Sequence, residues 1–449
     1  MIEKVLVPEV QEFLKRGNLR EIKELLAPEH PEDIATLISE LDDLREQTVV
    51  FRVVPSEKFI DVFEYLEPDV QQEILRELSS VTVKRLLNEM APDERTELLE
   101  ELPGSIVKQF LGMLSPEDRR TATEILGYPE GSVGRLITPE YVQLYEEMTV
   151  REALDQIREV GLTKETVYHC YVLDRGKVLR GVVSLRTLVV SAPAEIIKNL
   201  MKREVICVSA ATDREEAANI FKRYDLIALP VVDNQGKLVG IVTFDDFVDV
   251  LEEEATEDFE RFAAVLPGDY SYLDTPVLRL FWQRSVWLIL LVLLSSISSL
   301  VLEHFETTLS RMVALTFFLP VLIGAAGNAG TQSATLVIRG LATGEVSVSD
   351  FFTIVLKESL VGVLIGVVLA LFGFARAMLQ RGDVLLGMSV GIAMGIAVFM
   401  ATMTGALMPI LFQRLRIDPA LISGPMLATV ADVAGTLIYL GVARVMMGL

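Results

Sequence analysis

The chain has 449 residues, 51% of them hydrophobic, with 41 basic and 63 acidic side chains and a formal net charge of -22. That is too apolar for an ordinary soluble protein of this length, and so negative a chain is unsuited to nucleic acid, which needs a basic face. Its two cysteines, Cys170 and Cys207, exclude a disulfide framework or a paired-cysteine metal centre.

The acidity is unevenly divided. Residues 276–449 carry eight acids and ten bases; the other 55 acids and 31 bases precede them, a net of -24. Such a field repels itself unless cations screen it. The start, MIEKVLVPEVQEFLKRG, has no apolar core and no small-residue cleavage site, so no secretory signal is read there. The acidic part is expected in the cytosol.

Residues 20–126 read as short helices. Leu66-Glu67-Pro68, Leu78-Ser79, Met90-Ala91-Pro92, Leu102-Pro103 and Leu114-Ser115-Pro116 follow at twelve-residue steps, and Ile74/Leu75, Leu86/Leu87, Leu98/Leu99 and Phe110/Leu111 keep the same step. Each unit is one helix with Pro near its first turn, where the missing N–H does no harm. One such helix cannot bury its own face, so neighbours must stack into a superhelix. An acidic helical-repeat domain is expected over 1–130. On its exposed faces Asp93 and Glu97 lie one helical turn apart; a solvated face is the plain reading of such a pair.

From 131 to 250 the pattern becomes strand and helix. Two stretches match each other, YVLDRGKVLRGVVSLRTL (171–188) and PVVDNQGKLVGIVTFDDF (230–247), each strand, turn, strand, helix start. Helical stretches 149–160 and 213–224 separate the strands. Asp213, Glu215 and Asp225 are candidate oxygen ligands in the second module. The run DDFVDVLEEEATEDFERF (245–262) reads as a helix with acids nearly all round, and 251–275 as an acidic connection to the apolar part. Its self-repulsion would fall if divalent cations bound beside it. Oxygen-only ligands suit Mg2+ or Ca2+ rather than zinc.

Five apolar runs follow, at about 283–302, 312–338, 352–375, 384–412 and 419–443. Each is long enough to span a bilayer. With the N-terminus inside, Arg279, Arg284, Arg339, Lys357, Arg414 and Arg416 are cytoplasmic and Arg311, Arg376, Arg381 and Arg444 are outside, in the sense of the positive-inside rule. In the second run Pro320 permits a break, and Asn328 and Gln332 are one turn apart; their amides suit a hydrated ion or an interhelical hydrogen bond. Gly387, Gly391 and Gly395 in the fourth run read as a packing face. The fifth run carries one carboxylate, Asp432. An intramembrane acid costs roughly 2.5–3.5 kcal/mol on insertion scales and marks a pathway by default. Gly424, Ala428, Asp432 and Gly435 fall on one helical face, with Thr429 close by. This reads as a pore wall for a cation; the alternative is an acid satisfied by a neighbouring helix.

The duplication resembles a pair of CBS domains. Residues 240–246, GIVTFDD, match that family's pattern, which implies that Thr243 and Asp246 bind the phosphate and ribose of an adenine nucleotide; the first copy, Gly181 to Thr187, lacks the final Asp. The whole chain resembles the MgtE family of magnesium channels. The motifs that carry this are GSVGRLITPEYV (131–142), PVLIGAAGNAGTQSAT (320–335) with RGLATGE (339–345), and DPALISGPMLATVADVAGTLIY (418–439). Thr331 departs from the second Asn of many members.

The resemblance implies a multidomain protein: an α-helical superhelical repeat domain over 1–130, a tandem CBS (α/β) pair over 131–250, an acidic plug helix over 251–275 and a five-helix transmembrane domain over 276–449. It implies a homodimer in the cell membrane, N-terminal domains cytoplasmic, with the pore on the two-fold axis and Asp432 as the central Mg2+ site. Gly424, Ala428, Thr429, Pro320, Asn328 and Gln332 would line that pore. It further implies that cytosolic Mg2+ closes the channel by bridging acidic faces through Asp93, Glu97, Asp213, Glu215, Asp225, Asp246, Asp249, Glu254, Glu257 and Asp258, with Asp418 at the pore's inner end, and that ATP binds the CBS pair. The open alternatives are a secondary carrier for divalent cations such as Mg2+ or Co2+, and a membrane-anchored cation or nucleotide sensor. An enzyme is not expected: His30, His169 and His304 are scattered, and no nucleophile–base set appears.

Overall fold

The computed structural model describes residues 3–41, 43–66, 68–100, 102–268, 272, 275–415, 417–419 and 424–448. Arg416 and the start of the fifth apolar run, 420–423, lie outside the described residues. The chain divides into two compact units, Met1–Leu251 and Glu252–Leu449.

The first unit opens with the helical repeat. Its later helices are Pro68–Glu77, Ser80–Glu89, Pro92–Glu100, Gly104–Met113 and Pro116–Ile125, so helix starts recur every twelve residues. Pro or a serine cap begins most of them: the Ser79 hydroxyl accepts from the Thr82 amide and the Ser115 hydroxyl from the Asp118 amide. Ile74, Leu86, Leu87, Leu98, Leu99 and Phe110 are buried in one continuous core that reaches back to Val10 and Ile22. The recurring apolar pair is thus what each helix gives to its neighbours.

Two three-stranded sheets follow. In the first, β1 (Tyr141–Leu144) runs parallel to β2 (Thr166–Leu173), which is antiparallel to β3 (Leu179–Ser184). In the second, β4 (Val208–Ser209), β5 (Ala228–Val232) and β6 (Leu238–Thr243) repeat that order. The two hairpins turn the same way, on an aspartate. Asp174 accepts the amides of Gly176 and Val178, and Asp233 those of Gln235 and Lys237. The left-handed position is Gly236 in the second turn but Lys177, φ 64°, in the first. The entry segment also threads into the second sheet, since Thr138 pairs with Ile241 and the Val133 amide donates to the Thr212 carbonyl at 2.8 Å.

The helix Phe244–Phe262 starts in the first unit and ends in the second. Five membrane-capable helical segments follow, Val277–His304, Val313–Ala342, Val348–Arg381, Val384–Arg414 and Gly424–Met447. They are called spans one to five. The fourth is the central one, packed on the second, third and fifth. Glycine makes this possible: a Cβ on Gly391 would lie 2.8 Å from the Ala370 carbonyl oxygen, and one on Gly405 would overlap the carbonyl oxygen of Gly330. The glycine face read in the fourth run is therefore a packing face.

Candidate cation sites

Asp432 sits at the seam of spans two and five. A Cβ on Gly327 would lie 3.6 Å from the Ala428 Cβ and 3.9 Å from Asp432 Oδ1, so small residues at 327 and 428 bring the two helices together around the carboxylate. Asp432 and Ala428 are half-buried, while Asn328 and Gln332 are exposed on the second span. Amides and a carboxylate on apolar spans need protein or water against them. The seam is therefore a polar side of the bundle.

The rest of the expected stripe is placed differently. Gly424 is buried, with the Phe262 ring 3.5 Å and the Thr331 methyl 3.3 Å from its would-be Cβ. Thr429 is 8% exposed and its hydroxyl donates to the Pro425 carbonyl at 2.9 Å. Gly435 faces Leu322, Ala326 and Ala397. Within the protomer these three are packing positions, because a small-residue stripe serves helix contact as readily as a pore. Pro320 occupies the first turn of Leu319–Ala342, and the break lies just before it, where the 3-10 turn Val313–Phe317 ends. On the third span Glu358 accepts a hydrogen bond from the Ser333 hydroxyl at 2.7 Å.

At the inner end of the bundle the guanidinium of Arg261 pairs with Asp418, ahead of the fifth span, and with Glu257 on its own helix. Burial, and then the Asp418 charge, pushes the Asp258 carboxyl up to about 6; Arg261 opposes that rise, and Glu254 and Glu257 add to it. Glu254, Glu257, Asp258 and Asp418, all expected ligands, thus share one neighbourhood, with an arginine in it. Phe262 covers Gly424 from the same helix end.

The first unit holds a second acid face. Burial raises the Asp93 carboxyl to about 7, reinforced by Glu165 and Glu64. Its Oδ1 is buried and has no hydrogen-bond partner. Glu94 is raised to about 9, by burial and then by Glu97, Asp93, Glu64 and Asp246. Glu64 is raised to about 7 by burial and, more weakly, by Asp61 and Glu165, although it accepts the Ala91 amide at 3.2 Å. Asp246 is raised to about 7 by burial and Asp93, even while accepting from the Thr243 amide at 2.9 Å and hydroxyl at 2.8 Å. Repeat-domain and second-module acids therefore lie close enough to repel one another at Asp93 and Asp246. Glu64 and Glu165 were not singled out from sequence: they come from distant segments and carry no motif.

The remaining candidates are surface acids. Asp213 caps the helix Arg214–Arg223 through the Glu215 amide at 2.9 Å, whereas Asp225, φ 48°, follows the other end. A ten-residue helix is about 15 Å long, so Asp213 and Asp225 do not share one ion within a protomer. Asp249 and Glu97 are exposed. Among the described residues no three carboxylates converge tightly enough to hold a bare ion. The donor set nevertheless fits Mg2+: carboxylates only, partly desolvated, one oxygen orphaned, suited to an ion that keeps its waters.

Family models match three parts of the chain: the MgtE intracellular N domain over 29–131, CBS domains over 133–192 and 197–253, and MgtE, divalent cation transporter, over 319–442. The magnesium transporter MgtE of Thermus thermophilus is 39% identical over 449 residues, covering 99% of each chain. That of Bacillus subtilis is 33% identical over 431 residues, 96% of this chain and 95% of its own. A crystal structure of the cytosolic domain of the Mg2+ channel MgtE in complex with ATP is 36% identical, covers 54% of this chain and 99% of its own, and superposes with a TM-score of 0.52. These relatives are transporters, not enzymes. A chain so matched from end to end, with an intracellular-type helical domain, a CBS pair and five membrane-capable helices, is a multi-pass membrane protein of the MgtE family of magnesium transporters.

Proposed function

We propose that this protein is a homodimeric, Mg2+-selective channel that closes when cytosolic Mg2+ binds its acidic faces. The observation that carries the reading is the face of Glu64, Asp93, Glu94 and Asp246: half-buried, mutually repelling carboxyls, with one buried, orphaned oxygen on Asp93. Such a face is unfavourable without cations and favourable with them. Its compact form therefore binds Mg2+ more tightly than its splayed form, and linkage makes cytosolic Mg2+ select the compact, closed state.

Asp432 supplies the ion site. Across a two-fold axis two such carboxylates face one another, with Asn328 and Gln332 beside them and Ala428 one turn below. Mg2+ gives up water reluctantly, so these groups recognise the hydrated ion. The domain boundaries at 130, 250 and 275 separate sensor, CBS pair, plug and pore. Asp418, Glu254, Glu257 and Asp258 form the inner ligand group, and Glu97, Asp213, Glu215, Asp225 and Asp249 serve as surface ligands. The ATP complex of a relative's cytosolic domain supports an adenine nucleotide at the CBS pair, held through Thr243 and Asp246. Asp246 then belongs to both readings, so ATP and Mg2+ binding are coupled there.

The test is patch-clamp current from reconstituted protein as cytosolic-side Mg2+ is stepped from near zero to about 10 mM. Discrete Mg2+ steps quenched as Mg2+ rises support the reading. Gradient-coupled uptake without steps establishes a carrier instead. Intact cation binding with no flux at all establishes a sensor.

A further inference from the structure

The acids at the inner end of the bundle have a cation among them. Arg261 pairs with Glu257, four residues back on its own helix, and with Asp418, 157 residues on. Its guanidinium thereby ties the helix to the segment that leads into the fifth span. A neighbouring contact acts the same way, because the Phe262 ring rests on Gly424. The three side chains of the ion pairs are about a third exposed, 31%, 28% and 33% for Arg261, Glu257 and Asp418. Ions from solution can reach them.

We infer that Arg261 is a tethered cation that holds the place of a divalent ion at the inner mouth, docking the helix Phe244–Phe262 on the fifth span until Mg2+ displaces the guanidinium from Glu257 and Asp418. An arginine keeps its proton at every physiological pH, and its planar fork bridges two carboxylates. It brings one charge, while Glu254, Glu257, Asp258 and Asp418 bring four. A divalent ion answers more of that charge, and its water shell reaches several carboxylates at once. K+ and Na+ add no charge beyond what the guanidinium already supplies. Arg261 thus makes docking at this point independent of monovalent ions and sets the Mg2+ concentration at which the ligand group changes hands.

The consequence for gating rests on the channel reading above; the docking does not, and the two fail differently. A wild type whose Mg2+ current ignores cytosolic Mg2+ removes the gating role. The role of Arg261 is read by amide hydrogen exchange over 258–266 in the full chain in lipid nanodiscs, with the repeat helices 80–113 as a folding control. In EDTA, Arg261→Gln is expected to exchange at least tenfold faster over 258–266 than wild type, with Arg261→Lys between them. Millimolar Mg2+ is expected to restore the protection of Arg261→Gln, and KCl at equal ionic strength is not. Unchanged exchange in EDTA overturns the inference. So does a loss that Mg2+ fails to repair, which leaves Arg261 a plain structural tie, and so does an equal repair by KCl, which makes the effect general screening.

Discussion

The two acid faces were built from the same residue types and ended in different electrostatic states. In the first unit Glu64, Asp93, Glu94 and Asp246 lie half-buried near one another and are pushed to between about 7 and about 9. At the inner end of the bundle Asp258 reaches only about 6, with Arg261 pulling against burial and Asp418. What separates them is weaker desolvation at Asp258 and a guanidinium beside it. Without one, burial turns a carboxylate cluster into a site short of positive charge; with one, the cluster is already partly answered. The first face therefore depends more on external cations than the second.

Asp432 extends this comparison into the membrane and carries the largest expected effect. Asp432→Ala is expected to lower Mg2+ current at least tenfold, or to let monovalent ions through, in reversal-potential measurements. An unaltered selective current would separate the seam from the ion path. Next in size is Asp93→Asn. In EDTA at pH 8 it removes a partly desolvated carboxylate whose pKa is raised to about 7, which should stabilise the helix Pro92–Glu100 by roughly 2 kcal/mol once solvent is allowed for. Exchange of that helix is the readout. The same variant should respond less to added Mg2+; an undiminished response would show that Asp93 is no part of the cation face.

The pH dependence of the first face follows from its direction of shift. Its folded carboxyls titrate above their unfolded values, so the folded state binds more protons. Their contribution favours folding at pH below about 4 and is lost as pH rises through about 7 and on to about 9. In EDTA the repeat helices should therefore be better protected at pH 5.5 than at pH 8.5. Saturating Mg2+ should flatten that difference, since it replaces the missing protons. A pH-independent profile in EDTA would mean the face is open to water and unstrained.

Much of the architecture was legible because its signals are local. The twelve-residue step through Pro68, Ser80, Pro92, Gly104 and Pro116 marks helix starts, and the matched aspartates Asp174 and Asp233 mark the duplicated turn. Hydropathy alone marks five spans. The sites were less legible. Glu257 and Arg261 stand at helical i,i+4 spacing and were readable as a pair, but nothing local announces Asp418 as the third member. Glu64 and Glu165 join the first face only through tertiary packing. Gly424 and Thr429 show the converse limit: spacing places a small residue on a face, and only packing decides whether that face meets a pore or a neighbouring helix.

The smallest effect lies at the second face and sharpens the contrast most. Asp258 is raised to about 6 and is half-buried, so its contribution to docking is full below about pH 4 and fades as pH rises through about 6. Partial exposure limits it to about 1 kcal/mol, a fewfold change in exchange over 258–266 in EDTA between pH 4.5 and pH 7. The Arg261→Gln variant tests the cause. With the guanidinium gone, burial and Asp418 act unopposed, so the transition should move to higher pH and grow in amplitude, as at the first face. A transition that stays near pH 6 in the variant would mean that burial alone distinguishes the two faces, and that Arg261 contributes its hydrogen bonds but not its charge.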